Sequence, residues 1–73
     1  MSGNRVELAR TAQGDVLYHT AFGCFITEAD GNVVPVSNAH VIEALCAINA
    51  GQSTFDHWEL AGDIERLCRI VEA

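Results

Sequence analysis

A chain of 73 residues with a formal net charge of -6, no lysine and 49% hydrophobic residues makes one small domain spanning 1–73. Its acidity repels phosphate backbones and anionic lipid, which argues against direct nucleic-acid or membrane-surface binding, while its apolar fraction is too high for a disordered acidic tail. The four arginines stand near the ends (Arg5, Arg10, Arg66, Arg69), and the stretch between Arg10 and Arg66 carries eight carboxylates and no Lys or Arg.

Val6 to Thr11 alternates in the period-two manner of a half-buried strand, and Gln13-Gly14-Asp15 then reads as a turn. From Val16 to Glu28 the alternation predicts one long strand. Its even face, with Val16, Tyr18, Phe22, Cys24 and Ile26, is expected to point at the core. Its odd face would present Leu17, Ala21 and Phe25 as a flat apolar surface, a candidate homodimer interface. Gly23 within that strand reads as a bulge or a site of close backbone approach. Asp30-Gly31 is the strongest hairpin signal in the chain. It introduces a third strand over Val33–Val36, which Pro35 assigns to a sheet edge because proline has no ladder N–H to donate.

Ser37 or Asn38 can cap a helix from about Ala39 to Ala50, ended by Gly51 in a left-handed conformation. Only His40 and Glu43 in this helix are strongly polar, so a largely buried helix is expected. Ser53 and Asp56 have capping-box spacing and open a second helical pattern with the stripe Leu60, Ile64, Leu67, Cys68 and Val71, either continuous or broken near Ala61 by Gly62. The fold expected is α+β: a three-stranded antiparallel meander followed by two helices on one face.

No CxxC, HxxxH or CxxH pair sets two metal donors a few residues apart, so no metal or cofactor is expected. A cysteine nucleophile needs a base or positive field to hold its thiolate, and the cation-free middle opposes that, so the chain reads as a non-enzyme. Cys24, Cys46 and Cys68 are odd in number and lie in apolar runs, and read as buried reduced thiols. With no secretory leader and no apolar run of membrane-spanning length in the sequence, this assigns the chain to the cytoplasm.

The densest charge feature is the window holding Asp56, Trp58, Glu59, Asp63 and Glu65. An aromatic anchor among acids suits a basic, arginine-rich surface, although an aromatic at helical spacing such as Trp58 is more often core. The leading functional expectation is a small inhibitor that blocks a basic, nucleic-acid-binding type of surface on a larger protein, the physical logic of anti-CRISPR, anti-restriction, antitoxin and immunity proteins. The alternative is a structural or regulatory subunit that homo-oligomerises through Leu17, Ala21 and Phe25.

Overall fold

The computed structural model describes residues 5–73. The elements in chain order are β1 (Val6–Thr11), β2 (Val16–Thr20), β3 (Gly23–Thr27), β4 (Val33–Val36), α1 (Asn38–Asn49), a 3-10 turn at Ser53–Phe55, β5 (Trp58–Leu60) and α2 (Ile64–Glu72). The strands form one antiparallel sheet in the order β4-β3-β2-β1-β5. The class is α+β, as expected. The meander has four strands rather than three, and a fifth returns later to flank β1.

Two turns of the same design build the meander. Thr11 N donates to Asp15 O (2.9 Å) and Gly14 N to Thr11 O (3.1 Å); Glu28 N donates to Asn32 O (2.7 Å) and Gly31 N to Glu28 O (2.8 Å). Each is a three-residue hairpin loop whose last residue must take a positive φ, 105° at Gly14 and 97° at Gly31, where a side chain is disfavoured. The loops abut: Ala29 N donates to Asp15 Oδ1 at 2.9 Å.

The long strand expected from Val16 to Glu28 is instead a hairpin. Ala21 and Phe22 turn the chain, and Thr20 braces the turn by accepting from Phe22 N at 3.0 Å and donating to Gly23 O at 3.1 Å. Because Leu17 pairs with Ile26 and Tyr18 with Phe25, the hairpin inverts parity: odd residues of β2 share a face with even residues of β3. Gly23 (φ 120°) therefore closes a turn and is no mid-strand bulge. The bulge lies in β1, where Glu7 pairs with Tyr18 and Ala9 with Leu17, leaving Leu8 as the extra residue. Adjacent Leu8 and Ala9 are consequently both fully buried.

Pro35 does lie on an edge strand. Antiparallel pairs alternate between bonded and non-bonded, and counting from the bonded Glu28–Asn32 pair puts Pro35, opposite Phe25, at a non-bonded position. Its nitrogen thus faces the free edge, where a missing N–H blunts pairing with another chain.

Ser37 caps α1, its side chain accepting from His40 N. The helix ends with Gly51 N donating to Ile48 O and Gln52 N to Ala47 O, the paired bonds of a Schellman motif, with Gly51 at φ 76°. Val41, Leu45 and Ala47 are the buried residues of α1, while Asn38, Ala39, His40, Glu43, Cys46 and Asn49 are exposed, so the expectation of a largely buried helix is corrected. The second helical pattern breaks near Ala61, and what precedes the break is a 3-10 turn and β5 rather than helix. Asp63 starts α2, whose stripe Ile64, Leu67, Cys68 and Val71 turns inward as expected. Both helices cover one sheet face; Leu8, Ala9, Leu17 and Cys24 from the sheet meet Val41, Leu45, Leu67 and Val71 from the helices.

Candidate partner-binding surface

The acidic window does not form one constellation. Strand alternation along β5 turns Trp58 and Leu60 toward the helices and Glu59 to the opposite face. Trp58 is half-buried, pairs with Thr11 across the ladder, and lines an apolar cleft of about 130 Å³ with Leu17, Ile26, Val36, Val41 and Ile48. The aromatic anchor ringed by acids is thus replaced by an inward tryptophan with acids on the chain around it. Its short strand was hidden because three residues, Trp58-Glu59-Leu60, are too few for alternation to outweigh a helical stripe passing through Leu60.

The acids divide by role. Asp63 is used by the fold: its carboxylate accepts from Glu65 N (3.1 Å) and Arg66 N (3.3 Å), capping α2. Glu65, in the first turn of α2, favours the helix dipole and lies 4.0 Å from Arg69. Asp56 and Glu59 are exposed and, among the described residues, take part in no hydrogen bond or ion pair of their side chains. Glu59 pairs in register with Arg10, but that guanidinium is held by Glu7 through two 2.7 Å bonds. Those bonds hold the Glu7 carboxyl below its ordinary range and raise Arg10.

The three residues expected to share an apolar strand face are separated. Leu17 is 4% exposed and belongs to the core, Ala21 sits in the exposed turn, and only Phe25 lies on the helix-free face. The reason is the parity inversion at Ala21–Phe22. On that open face Tyr18 is nevertheless only 7% exposed: Arg5 stacks 4.3 Å from its ring centroid, Phe25 packs at 6.0 Å, and Thr27 Oγ1 donates to its hydroxyl at 3.2 Å. Phe22, assigned to the core by sequence, is 92% exposed at the turn tip for the same reason.

Of the three thiols only Cys24 is buried, and burial pushes its pKa up. Cys46 is exposed and Cys68 half-buried, which corrects the expectation of three buried cysteines: the core stripe of α1 runs through Val41 and Leu45, and position 46 is rotated off it. His40 Nδ1 lies 2.7 Å from Ser37 Oγ and so belongs to the helix cap. Among the described residues no three His, Cys, Asp or Glu side chains gather as a metal site. Among the described residues no helix is long and apolar enough to cross a membrane. Comparison with protein-family models, curated proteins and solved structures finds no match.

Proposed function

We propose that this chain is a non-enzymatic, cytoplasmic binding protein whose acidic flank at β5 occupies a basic, nucleic-acid-binding type of surface on a larger protein and blocks it. The observation that carries this reading is the state of Asp56 and Glu59. Both are exposed, and among the described residues neither side chain takes part in a hydrogen bond or an ion pair. Asp63 and Glu65, at the start of α2, add charge to the same stretch while also serving the helix. Trp58 supports the surface from below by holding β5 against the core.

Long-range attraction between such a flank and a basic partner acts chiefly on the rate of encounter and is screened by salt. The test is a pull-down from native-host lysate at low and high salt, with the wild-type chain and an Asp56→Lys/Glu59→Lys variant as baits. A nucleic-acid-binding protein retained by the wild type at low salt, lost at high salt and absent from the reversed bait is the expected result. Identical recovery on both baits overturns the reading. Asp63 is left intact because changing it would damage α2 as well.

The second reading, homo-oligomerisation, retains one of its three residues on an open face, Phe25, next to Pro35 and Tyr18 on neighbouring strands. Arg5, Thr27 and the Glu7–Arg10 pair already furnish that face with polar groups, which favours the acidic-flank reading.

A further inference from the structure

The two edges of the sheet are built differently. At β4 the outward nitrogen belongs to Pro35, which has no hydrogen to donate, whereas β5, Trp58-Glu59-Leu60, contains no proline. Thr11 N donates to Asp15 O, toward β2, and Ala61 N donates to Leu8 O. In the β1–β5 ladder Arg10–Glu59 is therefore a bonded pair, while Thr11–Trp58 and Ala9–Leu60 are non-bonded. The backbone N–H and C=O of Trp58 and of Leu60 consequently point away from β1, along the free edge. Among the described residues no hydrogen bond reaches them.

The side chains along this edge select its occupant. Glu59 is exposed on the helix-free face, with Asp56 exposed just before the strand, and Trp58 and Leu60 are half-buried on the helix face. A second copy paired antiparallel through the same edge would set Glu59 opposite Glu59 in a non-bonded pair, where side chains come closest and like charges repel. An arginine in that place reverses the sign, and Glu59 then lies between it and Arg10. The residues on either side of that arginine fall beside Trp58 and Leu60, where apolar side chains cover what the core leaves open.

We infer that the free edge of β5 takes an extended basic segment of the partner protein as an added antiparallel strand, with an arginine opposite Glu59 and apolar residues opposite Trp58 and Leu60. This rests on the acidic flank proposed above and specifies how the partner is held: main-chain bonds supply affinity, and alternate side chains supply the choice of partner. Every ladder of the sheet is antiparallel, the slightly stronger pairing per residue, and the added strand continues it. In that register the apolar residues exchange N–H and C=O bonds with Trp58 and Leu60, and the arginine's own N–H points away from the protein.

The probe is a short synthetic peptide, blocked at both ends, in which arginine alternates with valine. Two further versions carry backbone N-methyl groups, one on every valine nitrogen and the other on every arginine nitrogen. Trp58, the single tryptophan of the chain, reports binding by its fluorescence, and amide hydrogen exchange follows the N–H of Trp58 and Leu60. At low salt the unmodified and arginine-methylated peptides should bind alike and slow exchange at both amides, whereas valine methylation should weaken binding at least about tenfold. Equal binding by the two methylated peptides, unchanged exchange at Trp58 and Leu60, or no binding of the unmodified peptide overturns the added strand. The Asp56→Lys/Glu59→Lys chain tests the flank separately. If it loses the peptide while methylation makes no difference, the acidic flank binds without an added strand; if it keeps the peptide undiminished, the flank itself is overturned as well. The methylated peptides act on the wild-type chain, so a variant that fails to fold leaves the test decisive.

Discussion

Glu7 and Arg10 stand three residues apart on β1 and still share a face, joined by two hydrogen bonds of 2.7 Å. A regular strand would put them on opposite faces. The extra residue Leu8 removes the conflict: it shifts the register between Glu7 and Ala9, buries two consecutive apolar side chains and returns Arg10 to the side of Glu7. The arginine held there makes its short ion pair with Glu7 and still feels the charge of Glu59, its partner across the β1–β5 ladder.

The pair has a definite pH signature. Its folded Glu7 carboxyl is lowered, first by the bond to Arg10, so its contribution is present above the unfolded glutamate value, about 4.3, and is lost as pH falls through the lower folded value. Glu7→Gln should weaken the fold near neutrality and flatten the stability curve below about pH 4.3. Urea unfolding at a series of pH values reads both effects. An unchanged acid limb would show that the pair does not act on stability.

The twin turns predict twin costs. Gly14→Ala and Gly31→Ala each force a side chain to a positive φ, and each should lose about 1–2 kcal/mol by chemical denaturation. At Gly14 the new methyl would meet Ala29 Cβ at 3.5 Å, ordinary packing, whereas Gly31 faces open space, so the two losses should agree to within about 0.5 kcal/mol. A much larger loss at Gly14 would point to the contact between the loops instead of to the backbone.

Local chemistry made the capped and turned parts of the fold legible. Ser37, Gly51, Gln13-Gly14-Asp15 and Asp30-Gly31 act where the sequence places them, because a cap or a tight turn depends on residues within four positions of itself. The misreadings share a different cause. Val16 to Thr27 alternates without a break, and the turn that splits it is held by Thr20, with neither Asn nor Asp before its glycine; period-two counting cannot see a parity change there. Leu17 and Phe22 exchanged their expected environments as a result. The acidic window was legible as charge but not as a surface, since β5 acquires its alternation only by pairing with β1.

Asp63 separates fold from function within that window. As the cap of α2, Asp63→Ala should cost about 1 kcal/mol of stability, while Asp56→Ala and Glu59→Ala, at exposed positions whose side chains bond to none of the described residues, should each stay within about 0.5 kcal/mol. Thermal or urea melts of the three variants decide it. Equal losses at all three positions would mean that Asp56 and Glu59 also serve the fold, removing the main support for a binding flank.

Cys24 sets an alkaline limit. Its buried thiol titrates higher in the folded state, so the stabilisation is fully present below the unfolded thiol value, about 8.5, and is lost as pH rises through the folded value. Cys68 acts in the same sense, its thiol being raised first by burial. With the protein kept reduced, Cys24→Ala should make the decline in stability above about pH 8.5 shallower, and adding Cys68→Ala should flatten it further. Persistence of the full alkaline decline in the double variant would assign it to other groups.

Leu17 and Phe25 were expected to act together, and the hairpin between them makes their roles opposite. Leu17 belongs to the core, so Leu17→Ala should cost about 2–5 kcal/mol through lost burial and a residual cavity next to the cleft lined by Trp58. Phe25 packs on Tyr18 on the open face, where Phe25→Asp should remove only the aromatic contact, about 0.5–1.5 kcal/mol, and leave a folded chain. Because Arg5 and Thr27 already occupy the space around Tyr18, the wild type and Phe25→Asp should elute alike from a sizing column, as monomers, at low and high salt. A larger wild-type species that survives high salt and is dissolved by Phe25→Asp would favour apolar self-association over the acidic flank as the working surface.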